Sequence, residues 1–241
     1  IKIEIVNFDS PTDGKNAVVT RSVDFGAFGI AAAILGASAG EPVVVVGGFS
    51  NRGMGIIAKA GSDIKSVKDL RGKRVGIWPG STQEVFVMER MRMEGLTMRD
   101  ISSIRVPFGE MHAMLVRGEI DAYVGAEPGP GLSLTSGVGQ LVEYPYGTAM
   151  GGLNMIFATS EDVVKKDPEL VKTEMTVKIL GSNKAAVENA LAANNVEYIW
   201  KLDDIVLGQA RTYANQMLEL KQIRSLPGAD FLNPAFSKAI S

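Results

Sequence analysis

The chain has 241 residues, and its 25 lysines and arginines nearly balance its 27 aspartates and glutamates, for a formal net charge of −2. This balance argues against a nucleic-acid-binding protein, which needs a basic surface to displace counterions from phosphates. No cysteine is present and His112 is the only histidine. The sequence therefore excludes disulfides and cysteine nucleophiles, and we expect no metal centre and no cofactor.

The first quarter of the chain predicts alternating strands and helices. Residues 1–8 alternate between apolar and polar side chains, which is typical of a half-buried strand. Ser10 is a helix N-cap candidate, followed by Pro11 at the first helical position and Asp13 as the capping acid. The elements predicted here are a strand at Ile1–Phe8, a helix opened by Ser10, a strand at Val23–Gly26, a helix at Phe28–Leu35, a buried strand at Pro42–Val46 and an extended segment at Met54–Ala60.

A second series of strands and helices follows. Its helix starts are marked by capping patterns, in which a serine or threonine precedes an acidic residue by three positions. The predicted elements are a short helix capped by Ser66, strand Lys73–Trp78, a helix from Ser81 to about Glu94, a capped turn at Thr97–Asp100, strand Ile104–Pro107, helix Glu110–Arg117, strand Ile120–Gly125, a weak helical signal in Pro128–Gly139, and strands Leu141–Tyr144 and Leu153–Ala158.

From Ser160 onward the pattern predicts helices almost throughout. Two apolar helical faces are predicted, one with Val187, Ala190, Leu191 and Tyr198 and one with Ile205, Tyr213, Met217 and Leu220. These helices must pack on an earlier sheet, so we predict an α/β fold of two lobes. Lobe I comprises residues 1–57 and 154–241, and lobe II, residues 58–153, is inserted between them. Two chain crossings would form a hinge, with a ligand cleft between the lobes.

Several sequence blocks in a characteristic order resemble the periplasmic solute-binding proteins of ABC importers for nitrate, aliphatic sulfonates, taurine and thiamine-pyrimidine precursors. These blocks are Val23–Gly26, Ser62–Gly76, Gly80–Thr82, Gly95–Leu96, Gly118–Ala122, Glu127–Pro128 and Asp167–Val171. The resemblance implies the type II periplasmic-binding fold, with a small-molecule ligand held between helix N-termini of opposite lobes. It also implies a membrane permease as partner, a periplasmic or lipid-anchored extracellular location and a monomer.

The start of the chain differs from this family's pattern. Ile1 follows no initiator methionine or charged-then-apolar leader, which predicts a removed signal peptide or a cropped start. Family members precede the strand equivalent to Ile1–Phe8 with another strand and helix, which we expect to be missing here. Any lipid-anchoring cysteine is expected upstream of Ile1.

Two helix starts are candidate anion sites. Ser81 and Thr82 open a helix after a strand, where backbone N–H groups and the helix dipole favour an anion. The alternative is that the Ser81 hydroxyl only caps its own helix. In lobe I, Ala27, Phe28 and Gly29 occupy the corresponding place, although glycine there can instead serve close helix–strand packing.

Charged candidates flank these helix starts. Asn51 and Arg52 lie in a predicted polar turn, where arginine could clamp a carboxylate or sulfonate with two hydrogen bonds, or remain an ordinary surface arginine. Glu127 could receive an ammonium or an amino-pyrimidine, or be a solvated or hinge-pairing carboxylate. If both Arg52 and Glu127 face the cleft, a zwitterion fits better than nitrate.

The remaining candidates are Trp78, Phe108 and Asn154, which also lie at strand ends. The two aromatic side chains could stack on a planar ligand or pack into the core. His112 is expected to be a packed or surface side chain without a role, and nothing in the sequence places a nucleophile beside it for a Ser–His–Asp triad.

The function predicted from the sequence is a non-enzymatic solute receptor that closes on a sulfonate, nitrate, a carboxylate or a pyrimidine-like molecule. One alternative is an enzyme of the same fold, for thiamine-pyrimidine synthesis or carbon–sulfur cleavage. The missing cysteine and the single histidine count against it. A second alternative is the effector domain of a transcription regulator, which would need an attached helix-turn-helix.

Overall fold

The computed structural model describes residues 4–166, 196–198 and 203–234. The helices and strands there are α1 (Pro11–Val19), β1 (Phe25–Gly29), α2 (Ile30–Ser38), β2 (Val43–Arg52), β3 (Met54–Lys59), β4 (Arg74–Ile77), α3 (Thr82–Met93), β5 (Ser102–Arg105), α4 (Phe108–Arg117), β6 (Ala122–Ala126), α5 (Gly129–Thr135), β7 (Gly139–Glu143), β8 (Leu153–Ser160), α6 (Glu161–Lys166), β9 (Val196–Tyr198) and α7 (Asp204–Glu219). Short 3₁₀ turns lie at Val67–Leu70, Met98–Asp100 and Ala229–Phe231.

The chain divides into two units. The first comprises Ile1–Phe49, Met155–Ile179 and Ile199–Ser241, and the second comprises Ser50–Asn154 and Leu180–Tyr198. The division falls inside β2 and again inside β8, so each of these strands begins in one unit and ends in the other.

The helix starts follow the capping patterns of the sequence. The Ser10 hydroxyl accepts a hydrogen bond from the Asp13 backbone N–H (3.1 Å) and donates one to Asp13 Oδ2 (2.7 Å), which begins α1. Ser66 and Thr97 head capping boxes on the two 3₁₀ turns of the second unit. The capped starts predicted at Ser10, Ser66 and Thr97 are confirmed, because capping is a local interaction between residues three positions apart.

In the first unit, α2 is apolar on nearly every side and packs against α1 and α7. β1 and β8 run antiparallel, with Phe25 opposite Thr159. These two strands belong to a four-stranded sheet in the order β1-β8-β2-β9, whose last strand, β9, lies in the second unit. The apolar run 43–46 of β2 is buried, as its composition predicts.

The second unit is built on a five-stranded sheet in the order β5-β4-β6-β3-β7. β4 is parallel to both β5 and β6, whereas β3 is antiparallel to β6 and β7. Ile56 and Ile57 are successive residues of β3 and point to opposite faces, where each joins a separate apolar cluster. α3 supplies Val87 and Met91 to one cluster, and α4 supplies residues to the other. Helices therefore cover both faces of the sheet, the α/β layering that the sequence predicts.

Three local predictions are wrong. Residues 4–8 are exposed and irregular, since no strand of the described part of the chain pairs with them. Residues 50–52, expected to be a turn, continue β2 and pair antiparallel with β9. Tyr198, expected on a helix, lies in β9. The last two depend on pairing between segments about 145 residues apart, which local periodicity does not contain.

The apolar face predicted for α7 is only partly right. Tyr213 and Met217 are buried, but Ile205 is 71% exposed. At 100° per residue, Ile205 is rotated by about 80° from Tyr213 and about 120° from Met217, so it leaves the buried side. The other predicted face, with Val187, Ala190 and Leu191, lies outside the described residues.

Candidate functional site

The second unit brings most of its predicted site residues to one edge of its sheet. Trp78, Phe108 and Glu127 follow the carboxyl ends of the parallel strands β4, β5 and β6. β3 runs antiparallel to β6, so Arg52, just before β3, belongs to the same edge. Open α/β sheets bind ligands at this edge, because loops and helix starts converge there.

The start of α3 is capped by its own side chains. The Ser81 hydroxyl accepts the Glu84 backbone N–H (3.1 Å), and the Glu84 carboxylate accepts the Gly80 N–H (2.7 Å). Ser81 and Thr82 are both fully buried. The hydroxyl thus serves the capping role that the sequence left open as an alternative, while the helix dipole still points its positive end to this edge.

Asn154 joins the start of α3 to the segment before β3. Its Nδ2 donates to the Arg52 carbonyl (2.7 Å), and its Oδ1 accepts from Gln83 Nε2 (3.2 Å). Its backbone carbonyl accepts from the Thr82 hydroxyl (3.3 Å). Gln83 was missed by the sequence analysis, since only the tertiary fold brings it to Asn154.

Arg52 has an uncommon backbone conformation at this edge. Its φ of 63° lies in the left-handed region, which non-glycine residues seldom adopt. Its N–H donates to the Gly152 carbonyl, and its guanidinium lies 5.9 Å from the centre of the Tyr146 ring. Asn51, half-buried in β2, places its Oδ1 close to Gly152. Arg52 itself is exposed, so a positive charge stands beside an aromatic ring at the surface.

Two tyrosines that the sequence analysis did not select complete this region. Tyr144 and Tyr146 stack with ring centres 6.3 Å apart and planes within 10°. The Tyr146 hydroxyl donates to the Met54 carbonyl (2.9 Å) and accepts the Met54 N–H (2.6 Å). Burial raises the pKa of both tyrosines, and the Glu127 charge adds to the rise. They follow β7, which reaches this edge only because it pairs antiparallel with β3.

Glu127 is half-buried after β6. Its Oε2 accepts the Gly131 N–H (2.9 Å) in the first turn of α5, and its own N–H donates to the Gly53 carbonyl (2.9 Å). The carboxylate is close enough to act electrostatically on Tyr123 as well as on Tyr144 and Tyr146. Glu127 is therefore a negative charge among tyrosine hydroxyls, close to Arg52 across Tyr146.

Trp78 and Phe108 pack against the apolar cluster around Met111 and Leu115 while remaining partly exposed. The Arg105 guanidinium lies 4.6 Å from the centre of the Trp78 ring. These contacts fit the core-packing alternative for both aromatic side chains, and stacking on a ligand stays a prediction.

His112, Ser133 and Tyr123 form a chain of side-chain hydrogen bonds in the second unit. Its Nδ1 lies 2.9 Å from the Ser133 hydroxyl, which lies 2.8 Å from the Tyr123 hydroxyl. The sequence does not place a hydroxyl beside His112, because α4 and α5 meet only in the tertiary fold. Ser133 is fully buried and shared with Tyr123, whose pKa burial raises to about 12. These hydrogen bonds join α4, α5 and β6, and the serine among them is buried.

The candidates in the first unit lie at the junction of β1 and α2. Ala27 is exposed, and Gly29 is the N-cap of α2 without a side-chain hydrogen bond. The Phe28 ring is buried and so close to Gly26 that a Cβ there would lie 2.7 Å from it. Glycine in this strand thus permits close packing, and contact of these residues with a ligand stays a prediction.

Within the described residues, no group of three or more histidine, aspartate or glutamate side chains is placed to hold a metal ion. None of the helices in that same part of the chain is long and apolar enough to cross a membrane.

A family model described as NMT1/THI5 like matches residues 1–193. A protein of Escherichia coli (strain K12) named for binding aliphatic sulfonates is 28% identical over 129 residues, which are 53% of this chain and 40% of that protein. A 4-amino-5-hydroxymethyl-2-methylpyrimidine phosphate synthase of Uromyces fabae is 27% identical over 129 residues, 53% of this chain and 37% of the synthase. The matches thus span about two fifths of these curated relatives.

Two solved structures share the fold at low sequence identity. The alkanesulfonate-binding protein SsuA from Xanthomonas axonopodis pv. citri, bound to MOPS, has a TM-score of 0.81 at 20% identity, covering 95% of this chain and 86% of that one. A ligand-binding component of an ABC-type import system from Staphylococcus aureus has a TM-score of 0.82 at 15% identity, covering 100% of this chain and 88% of that one. The chain belongs to the NMT1/THI5-like family and has the α/β fold of periplasmic solute-binding proteins.

Proposed function

We propose that this chain is the solute-binding component of an ABC importer and that it binds a small organic anion. The observation that carries the proposal is that Arg52 and the start of α3 lie at one sheet edge, tied together by Asn154. Both attract negative charge, the arginine through its cation and the helix start through its dipole. On this proposal the partner is a membrane permease, and the protein acts as a monomer in the periplasm or at the extracellular face.

An alkanesulfonate is the ligand class that we propose. A sulfonate offers three acceptor oxygens, which suits recognition by a guanidinium and backbone N–H groups together. The half-buried rings at the same edge, Trp78, Phe108 and Tyr144, offer apolar surface for an alkyl chain. A relative named for binding aliphatic sulfonates and a structural neighbour bound to MOPS, itself a sulfonate, support this choice.

Calorimetric titration of the purified chain with butanesulfonate, methanesulfonate, nitrate, acetate and 4-amino-5-hydroxymethyl-2-methylpyrimidine tests the proposal. We expect butanesulfonate to bind more tightly than the other four. Arg52→Ala should weaken butanesulfonate at least about tenfold, because it removes a charge-assisted hydrogen bond. Arg99→Ala is the matched control: it removes the same charge from an exposed side chain ahead of β5, at the opposite edge. Equal effects of the two substitutions, or no binding of any anion, would contradict the proposal.

An enzyme of thiamine-pyrimidine synthesis is the second candidate, favoured by the synthases among the relatives. The sequence has no cysteine, and its single histidine is hydrogen-bonded to the buried Ser133. A general acid–base histidine needs access to a substrate proton, which this packing does not favour. Binding of the pyrimidine alone in the titration, followed by its conversion on incubation, would select this candidate.

A further inference from the structure

We propose that Asn154 is a positioning residue. It holds the Arg52–Gly53 connection between β2 and β3, hereafter the Arg52 turn, at a fixed place relative to the start of α3, and does not itself contact the ligand. The inference rests on the proposed anion-binding function and adds a residue that determines affinity through Arg52. It differs from the expectation drawn from the sequence, which places Asn154 among the ligand contacts.

The first argument is that both polar atoms of the Asn154 side chain form hydrogen bonds within the protein. Asn154 is 3% exposed. Its Nδ2 donates to the Arg52 carbonyl and its Oδ1 accepts from Gln83 Nε2. Gln83 is also buried, so the amide pair is shielded from water, where hydrogen bonds are stronger and costly to leave unmade.

The second argument is that the two neighbours require one donor and one acceptor, which an amide supplies and an ionised carboxylate does not. A backbone carbonyl can only accept, so the group facing Arg52 must be a donor. The group facing Gln83 Nε2 must be an acceptor. A carboxylate at position 154 would satisfy Gln83 but would place an oxygen against the Arg52 carbonyl, 2.7 Å away in the native contact. Asn154→Asp therefore changes the size of the side chain very little and removes only the hydrogen bond to the Arg52 carbonyl.

The third argument is that the Arg52 turn depends on this segment. At φ 63° the Arg52 backbone occupies a region that persists only where the surroundings hold it. Its N–H donates to the Gly152 carbonyl and its carbonyl accepts from Asn154, so both backbone groups are held by residues 152–154. Loss of the hydrogen bond from Asn154 frees the Arg52 carbonyl. The backbone of the turn then moves, and the Arg52 guanidinium changes direction with it.

The chain offers a matched control in Gln140, which pairs with Ala58 at the opposite edge of the same sheet. Gln140 Nε2 donates to the Ile64 carbonyl (2.8 Å), and Oε1 accepts the Gly61 N–H (3.1 Å). Gln140→Glu, like Asn154→Asp, therefore replaces an amide that donates to a backbone carbonyl, but away from Arg52. Unlike Asn154, Gln140 also accepts from Lys65 Nζ (3.0 Å).

The experiment measures butanesulfonate affinity by calorimetry and amide hydrogen exchange of residues 50–54 by mass spectrometry, for both variants. For Asn154→Asp we expect at least about tenfold weaker binding, the equivalent of about 1.4 kcal/mol, and at least about tenfold faster exchange. Gln140→Glu should change the butanesulfonate affinity and the exchange rate of residues 50–54 by less than about twofold each. Equal effects of the two variants on exchange would overturn the positioning role.

A double-mutant cycle separates positioning from direct contact. If Asn154 acts through Arg52, Asn154→Asp should cost little further affinity in the Arg52→Ala background. If the losses add, Asn154 touches the ligand and the inference is wrong. Should butanesulfonate fail to bind the wild-type chain, the proposed function fails, while the exchange measurement still decides whether Asn154 holds the Arg52 turn.

Discussion

At the scale of single residues, Ser81 caps α3 and also lies at the helix start that we propose binds an anion. Its hydroxyl accepts the Glu84 N–H and so stabilises the start of α3. The attraction for an anion comes from the backbone dipole of α3, not from this hydroxyl. The two roles therefore belong to different atoms and can be separated by substitution.

We predict that Ser81→Ala lowers the free energy of unfolding by about 1 kcal/mol, the usual loss when a helix N-cap becomes alanine. Affinity for butanesulfonate should change by less than about twofold. Ser10→Ala is the matched control, because Ser10 caps α1 through the Asp13 N–H in the first unit. Urea denaturation and calorimetry measure both quantities. A loss of affinity in Ser81→Ala much larger than its loss of stability would show that the hydroxyl contacts the ligand.

At the scale of elements, the end of β2 and the start of β8 pack closely around Gly152. A Cβ on Gly152 would come 3.0 Å from both Arg52 Cγ and Asn51 Oδ1, and 3.4 Å from the Arg52 backbone nitrogen. Glycine is thus favoured here by the close approach of another chain segment and not by its backbone conformation, since Gly152 has no left-handed φ.

We predict that Gly152→Ala destabilises the protein by about 1–3 kcal/mol, as overpacking usually does. Gly147→Ala, five residues earlier, adds a Cβ with nothing within 4 Å and should stay within about 0.5 kcal/mol of the wild type. Thermal denaturation compares the two variants. Equal stability of both would mean that the Arg52 side chain moves aside at no cost.

At the scale of the whole molecule, a set of aspartates ties the second unit together and sets its response to acid. A hydrogen bond from the Lys65 backbone N–H lowers the pKa of Asp69, and one from Thr97 lowers that of Asp100. The Arg74 guanidinium, hydrogen-bonded to Asp121 with an Nη2–Oδ1 distance of 2.6 Å, lowers the pKa of Asp121 below its usual 3.8 and joins β4 to β6.

Because these pKa values are lower in the folded state, their stabilisation is present above about pH 4 and is lost as the pH falls through the folded values. We predict that the urea concentration at the midpoint of unfolding does not change between pH 7 and 5 and decreases below pH 4. Asp121→Asn should lower the midpoint at pH 7 and reduce its fall in acid. Asp9→Asn, an exposed position, is the control. An unchanged acid response in Asp121→Asn would contradict the assignment.

The sequence by itself determined the α/β class, the capped helix starts and the buried run of β2, because capping and periodicity act within a few residues. It also pointed to Arg52, Ser81 and Glu127 as residues beside strand ends. The cleft between the lobes remains a prediction from the sequence.

Only the tertiary structure decided which of these residues share an edge. The antiparallel pairing of β3 with β6 and β7 places Arg52 near Glu127 and adds Tyr144 and Tyr146. Likewise, the amide contacts of Asn154 join residues that lie 71 and 102 positions apart in the chain. Such contacts depend on strand order and register, which are set by packing over the whole unit and have no signature in any short stretch of sequence.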